Sequence, residues 1–273
     1  MPNNPEKPAA PAEAPAEPRQ DRRRSRRFQS RSRGGMAGGR QERPFDITEW
    51  QPKTDLGRRV KAGEITDIRQ ILERGERILE AAIVDALVPN LENDLIMVGQ
   101  SKGKFGGGKG SIWKQTQKKT EEGNKPKFTA LAIVGNRDGL IGVGKGKAKE
   151  TVPAREKAIR QAKINLITIR RGSGTWEDRT REPHSIPFKV VGKCGSVRFT
   201  LMPAPRGTKL TASPECKKVL QMAGLIDVYS KARGQTKSRL NVVMACFDAL
   251  TRLGQVKVPA GFEERTRPRE EPA

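Results

Sequence analysis

Two glycine–lysine segments are the parts of this 273-residue chain best suited to chemistry. Gly139-Leu-Ile-Gly-Val-Gly144-Lys145 has the spacing of a phosphate-binding P-loop up to its lysine, and Gly103-Lys-Phe-Gly-Gly-Gly108-Lys109 repeats that spacing. In a working P-loop the next residue is a Ser or Thr whose hydroxyl reaches the magnesium ion. Here it is Gly146 in one segment and Gly110 in the other. Two incomplete copies in a Gly/Lys-rich chain point to composition. A P-loop-like nucleotide-binding enzyme is the alternative, because the first copy lies between an expected strand and an expected helix. Glycine backbone beside lysine serves RNA phosphate equally well, since exposed amides and helix N-termini attract anions. Acid–base and nucleophilic chemistry have little to stand on: His184 is the only histidine, and no G-x-S-x-G, H-E-x-x-H or paired acidic motif occurs. Cys194, Cys216 and Cys246 are widely spaced with no C-x-x-C pair, so neither a metal site nor a disulfide framework is expected. The chain reads as non-catalytic and free of cofactors.

Charge points to the partner. The chain carries 54 Lys+Arg against 31 Asp+Glu, a net of +23. A compact chain so far from neutrality repels itself, and a polyanion relieves that repulsion while releasing condensed counterions. The N-terminal arm does not account for the excess, because residues 1–43 contribute +6 and residues 44–273 still carry +17. Residues 101–149 alone hold 12 Lys/Arg and 3 Asp/Glu. Aromatics are only 4% of the chain, and the strands lack the aromatic-bearing pattern that stacks single-stranded bases. Many lysines with few aromatics favour recognition of RNA shape and phosphate over base sequence. No apolar run approaches the ~18 residues of a membrane span, and none forms a signal peptide. A reducing cytoplasm, no membrane and no homo-oligomer are expected.

The elements that must position these residues follow from periodicity. Residues 1–18 are Pro-, Ala- and Glu-rich, and residues 19–33 hold eight arginines and one acid, together a disordered arm able to engage RNA. Order is expected from about Thr54. Thr66 should cap a helix presenting Ile68, Ile71 and Leu72. A second apolar stretch runs from Ile78 to Leu87, and Asp94–Val98 reads as a short strand. Residues 99–125 read as a lysine- and glycine-rich loop. Residues 127–136 and 140–144 read as strands of a hairpin turned by Asn136-Arg-Asp-Gly. Gly142, Gly144 and Gly146 alternate along the second strand and leave one face bare, so something can approach the backbone closely. A helix from about Lys149 to Leu166 should carry an apolar stripe of Val152, Ile159, Ala162 and Leu166. Beyond the break at residues 170–174 come strands at 186–191 and 196–202 joined through Gly192–Gly195. A loop at 203–208, a helix at 214–223 capped by Ser213, a strand at 225–229 and a helix at 240–253 complete the order. Two small α+β domains result. The candidate RNA-binding residues are Lys102, Lys104, Lys109, Lys118, Lys119, Arg137, Gly142, Gly144, Lys145, Lys147, Lys149, Arg170, Arg171, Lys193, Arg198, Arg206 and Lys209.

Several of these stretches together resemble a known family. Residues Ala132-Ile-Val-Gly-Asn-Arg-Asp-Gly-Leu-Ile-Gly-Val-Gly-Lys-Gly-Lys-Ala-Lys-Glu, then Lys157-Ala-Ile-Arg-Gln-Ala-Lys-Ile-Asn, closely resemble the first domain of small-subunit ribosomal protein five. The second domain of that family is matched by Arg170-Arg-Gly, Pro183-His-Ser-Ile-Pro, Gly192-Lys-Cys-Gly-Ser-Val-Arg, Pro203-Ala-Pro-Arg-Gly-Thr and Ala223-Gly-Leu-Ile-Asp-Val. The likeness runs from about Thr54 to Leu253. Trp50-Gln-Pro-Lys-Thr-Asp-Leu-Gly and the Pro-His-Ser-Ile-Pro block are similar to the archaeal and eukaryotic branch. The resemblance implies a double-stranded-RNA-binding-like first domain and a small β-α-β second domain. Its boundaries would be an arm over 1–45, a helical extension over 46–92, the first domain over 93–169, the second over 170–255, and a polar tail over 256–273. It further implies a cytoplasmic ribosomal protein that binds small-subunit ribosomal RNA near the messenger entry region, supports decoding accuracy, and neighbours ribosomal proteins four, three and eight.

Overall fold

A computed structural model of the chain describes residues 50–100, 110–173 and 183–254. The expected arm over 1–45, the tail over 256–273, and Lys102, Lys104 and Lys109 lie outside the described residues. Strand alternation organises the first half of the fold. The longest strand, β5 (Gly123–Gly135), pairs antiparallel with β6 (Leu140–Ala148) through the expected hairpin. In its turn the Asn136 side-chain oxygen accepts the backbone N–H groups of Asp138 and Leu140, at 2.8 and 3.1 Å. Gly139 supplies the left-handed backbone, φ +85°, that such a turn favours.

Period two splits this hairpin into two faces. Ala130, Ala132 and Val134 share a buried cluster with Ala158, Ile159 and Ala162 of α4 (Thr151–Ile164). The register places Gly142, Gly144 and Gly146 beside them, opposite Val134, Ala132 and Ala130. The segment that approaches those glycines is therefore the protein's own helix. A Cβ on Gly144 would sit 2.1 Å from the backbone nitrogen of Ala162 and 2.3 Å from the carbonyl of Ala158, and one on Gly142 2.1 Å from the Ala162 carbonyl. Small residues at four-residue spacing, Ala154, Ala158 and Ala162, complete the close contact from the helix side. The expected stripe needs correcting at its ends: Val152 is exposed, and Leu166 begins the edge strand β7 (Leu166–Thr168).

The other long edge of β5 is shared. β1 (Glu92–Leu95) pairs with its second half, and β4 (Lys114–Thr120) with its first. Two further pairs of residues, β2 (Gly99–Gln100) and β3 (Gly110–Ser111), form a short ribbon. The described residues of the expected loop over 99–125 are thus largely β-structure. Its polar, lysine-rich strands bury little, so they lack the apolar alternation that marks a strand in sequence.

The second sheet runs β10–β11–β9–β8. β8 (Val190–Cys194) and β9 (Val197–Pro203) form a hairpin whose turn is Gly195-Ser196, so Gly192–Cys194 belong to the strand and not to the connection expected there. β10 (Leu210–Thr211) and β11 (Val228–Arg233) are parallel, joined across α5 (Pro214–Met222). Ser213 occupies the cap position of α5 as expected, while Gly224 past its end has φ +77°. The strand expected at 225–229 starts three residues later because Leu225 and Asp227 turn inward to the core. α6 (Arg239–Gly254) covers β8 and β9, and Gly192 repeats the device of the first sheet, since a Cβ there would meet the Ala245 carbonyl at 2.1 Å.

One apolar cluster links the two sheets. Leu131, Ile133, Ile141 and Val143 from the first join Val219 and Leu220 of α5, Val243 and Leu250 of α6, and Phe199 and Leu201 of the second. The layers run α4, first sheet, α5 with α6, second sheet. A separate cluster holds α1 (Asp55–Lys61), α2 (Ile68–Arg74) and α3 (Ala81–Leu87) against Leu140 and Leu166. Asp67, not Thr66, occupies the cap position of α2. Glu80 ties the start of this extension, accepting from the backbone N–H groups of Lys53 and Thr54 and from the Trp50 indole.

Candidate nucleic-acid interface

The face of the first sheet turned away from α4 changes character along its length. Toward the turn it is apolar and covered by α5. Toward the β4–β5 end it is lysine. Cross-strand partners share a face, and the register aligns Lys114 with Thr129 and Lys147, Thr116 with Lys127, and Lys118 with Lys125. Lys145, opposite Leu131, lies on the same side. Six lysines, Lys114, Lys118, Lys125, Lys127, Lys145 and Lys147, therefore share one face, all exposed. Only Lys125 has a carboxylate within ion-pair reach among the described residues, Glu122. Lys118 directly opposite Lys125 is a like-charge pair that destabilises an isolated hairpin. At the edge of this face an open groove of about 560 Å3 is lined by Lys127, Lys147, Lys149 and Lys157, with Glu150 and Pro153, at the start of α4. Four lysines line it beside the first turn of α4, with Glu150 as the one acid, an arrangement that suits phosphate oxygens.

Four other basic residues behave otherwise. Arg137 pairs with Glu92 at 2.7 Å, Arg171 with Asp138, Lys163 with Asp85 at 2.7 Å and Lys218 with Asp94 at 2.7 Å. Each of these carboxylates already balances a charge. Arg137 and Arg171, expected at the interface, instead pin the β5–β6 turn, with the Arg137 backbone N–H donating to the Met222 carbonyl.

The expected residues therefore separate. Lys118, Lys145 and Lys147 share the sheet face at different points along it, and Lys147 and Lys149 line the groove. Lys119 lies on the opposite face of β4, across from Asn124. Gly142 and Gly144 are withdrawn from the interface, because α4 covers them completely. Arg170 is half-buried, and Arg206 and Lys209 sit on the loop before β10, where Lys209 has φ +62° and its N–H donates to Asp227 at 2.6 Å. Lys193 and Arg198 face each other on the second sheet. Sequence reasoning missed Lys114, Lys125, Lys127 and Lys157. The alternation Lys125-Pro-Lys127 was the available signal, hidden because the expected loop ended at Lys125 and the expected strand began only at Lys127.

The P-loop reading fails on geometry. Gly139 to Lys145 is a hairpin turn followed by a continuous strand, and the glycines and Lys145 lie on opposite faces of it. That copy has no free loop to wrap a triphosphate, and the second copy, Gly103–Lys109, lies outside the described residues. We expect no saturable ATP or GTP binding by equilibrium dialysis, and no change on Lys145→Ala; nucleotide binding lost on that substitution would restore the P-loop. Metal chemistry has no cluster to use among the described residues. Cys216 and Cys246 are buried together in the helical layer, where their mutual hydrogen bond holds Cys216 below the usual thiol range; the same bond, with burial, pushes Cys246 up. Among the described residues no helix is long and apolar enough to cross a membrane.

Comparison with known proteins agrees with this architecture. Residues 112–170 match the model for the ribosomal protein S5 N-terminal domain, and residues 192–261 that for the ribosomal protein S5 C-terminal domain. The chain is 48% identical over 217 residues to small ribosomal subunit protein uS5 of Nanoarchaeum equitans, covering 80% of this chain and 93% of that one. It is 45% identical over 221 residues to uS5 of Methanocaldococcus jannaschii, covering 81% and 95%. With uS5 of Methanothermobacter thermautotrophicus it shares 44% over 213 residues, covering 78% and 92%. Identity at this level across both domains and the N-terminal extension places the chain in the ribosomal protein S5 family, in its archaeal-type branch.

Proposed function

We propose that this protein is a structural constituent of the small ribosomal subunit, not an enzyme, and that it holds ribosomal RNA through the lysine face of β4, β5 and β6 and the groove at the start of α4. The names of its relatives support the ribosomal role. The observation that carries the RNA contact is the set of six exposed lysines on one strand face, five of them without a carboxylate partner among the described residues. Such a face is self-repelling until a phosphate backbone neutralises it. Lys118, Lys145, Lys147 and Lys149 contact phosphate in this reading, joined by Lys114, Lys125, Lys127 and Lys157. Lys102, Lys104, Lys109, Lys119, Arg170, Arg206 and Lys209 are peripheral contacts.

The finer reading comes from the family. Residues 93–169 act as a double-stranded-RNA-binding-like domain, since one helix packed across an antiparallel sheet with a basic helix start suits the phosphates of an A-form helix. Residues 170–255 form the second domain, and 46–92 the helical extension. The protein would work in the cytoplasmic ribosome near the messenger entry region, beside ribosomal proteins four, three and eight, and support decoding accuracy. Sucrose-gradient sedimentation of a tagged copy tests the placement: we expect it stoichiometrically in small subunits at moderate salt. A predominantly free pool would favour an RNA chaperone and sink this proposal.

A further inference from the structure

Two of the three cysteines, far apart in the chain and in no C-x-x-C pair, meet in the helical layer between the sheets. Cys216 is the third residue of α5, Cys246 lies midway along α6, and the two helices pack directly on one another. Cys216 Sγ lies 4.0 Å from the carbonyl oxygen of Val242, one turn before Cys246 on α6. Helical side chains lean back over the preceding turn, so the Cys246 side chain covers that same spot. The sulfurs meet there and share a hydrogen bond. Both side chains are fully buried, in the apolar cluster that also holds Val219, Val243 and Leu250. The surroundings give the two sulfurs different roles. The hydrogen bond from Cys246 holds the Cys216 thiol below its usual range, with Ser213 Oγ beside it as a second donor that has no other partner among the described residues. A place in the first turn of a helix favours a thiolate in the same direction. Cys246, enclosed in the middle of its helix, is pushed up and keeps its proton.

We propose that Cys216 and Cys246 are a redox-active pair, a modification site at which a peroxide converts two buried thiols into a disulfide joining α5 to α6. The Cys216 thiolate attacks one peroxide oxygen; the O–O bond breaks, an S–O bond forms, and the other oxygen leaves as hydroxide, which takes up the proton the thiol had released. The Cys246 sulfur then attacks the Cys216 sulfur. The S–O bond breaks, the S–S bond forms, and the second oxygen departs as water with the Cys246 proton. Two thiols lose two electrons and one peroxide becomes two waters. Pro214 and Lys217, on either side of Cys216 in the first turn of α5, are exposed, so a local opening of that turn admits a small oxidant and excludes a bulky one. In a reducing compartment the pair rests as thiols, and the bond forms only under oxidant. Once formed, it closes the loop from 216 to 246 and clamps the layer that links the two sheets, which restricts the unfolded chain. The inference is independent of any RNA contact.

The test treats the reduced full chain with hydrogen peroxide under native conditions, then counts free thiols in denaturant and maps the peptides. We expect the three thiols to fall to one, with Cys194 left free and the disulfide mapped to Cys216 and Cys246. Dithiothreitol should restore all three. The thermal midpoint of the oxidised chain should stand about 5–15 °C above that of the same sample after dithiothreitol. Glutathione disulfide, too large for the closed site, should leave Cys216 and Cys246 unmodified in the folded chain. Cys194→Ser should lose both of its thiols to peroxide as the wild type does. Cys246→Ser should form no disulfide and add oxygen at Cys216 instead; if that variant fails to fold, Cys194→Ser decides alone. The inference is wrong if Cys194→Ser keeps both thiols after peroxide, if the bond maps to Cys194, or if the pair gains oxygen without joining. A disulfide that forms only in urea, or one that lowers the thermal midpoint, overturns it equally, because the native contact would then not be the reacting geometry.

Discussion

Replacing both Gly142 and Gly144 with valine is expected to leave the chain unfolded. The reason is distance: the two new Cβ atoms would stand about 2.1 Å from backbone atoms of α4, closer than any side-chain shift can relieve. Overpacking a core costs about 1–3 kcal/mol when side chains can adjust, and more when backbone must move. Two such insertions under one helix remove most of a typical stability of about 5–15 kcal/mol. α4 could escape only by lifting from the sheet, which would expose Ala130, Ala132, Val134 and Ile159. Urea unfolding followed by circular dichroism checks this, with Lys145→Ala on the other face of the same strand as the control, expected to unfold near the wild-type midpoint. A folded double-valine variant of native stability would mean that α4 does not lie on the glycines.

RNA affinity is expected to fall roughly a thousandfold between 50 and 200 mM salt, if about six phosphates are neutralised by the lysine face and its groove. Each contact releases close to one condensed counterion, so log affinity should drop against log salt with a slope near −5. K114Q/K118Q/K127Q/K147Q should cut affinity at 50 mM salt by a hundredfold or more and flatten the slope by about 3 to 4. Lys119→Gln, on the opposite face of β4, should move it far less. These four lysines are exposed and none has a carboxylate partner among the described residues, so the substitutions should leave thermal unfolding nearly unchanged. Filter binding with a short RNA duplex across a salt series reads both quantities. A flat salt response would show that the charge excess does not drive binding, and an equal loss from Lys119→Gln would show that the sheet face is not the surface.

Much of this protein was legible before its fold was known. The turn at Asn136–Gly139 follows from local chemistry alone, because an Asn side chain can satisfy the two backbone N–H groups of a tight turn and Gly139 takes the positive φ at no steric cost. α5 is readable from its cap residue Ser213 and α6 from its apolar run. The net charge, the absence of acid–base motifs and the family were equally plain. What sequence could not decide was which partner meets which face. The glycines of β6 announced a close approach, but only packing shows that the approaching backbone is α4 and not RNA. Arg137 and Lys145 are both cations in a basic stretch, yet one pairs with Glu92 and the other stands exposed on the sheet with no carboxylate partner among the described residues, a distinction made by residues distant in the chain. The lysine face comes into being only through strand register, which aligns residues as far apart in the chain as Lys114 and Lys147. Composition fixes how many charges there are; cross-strand pairing decides where they add up.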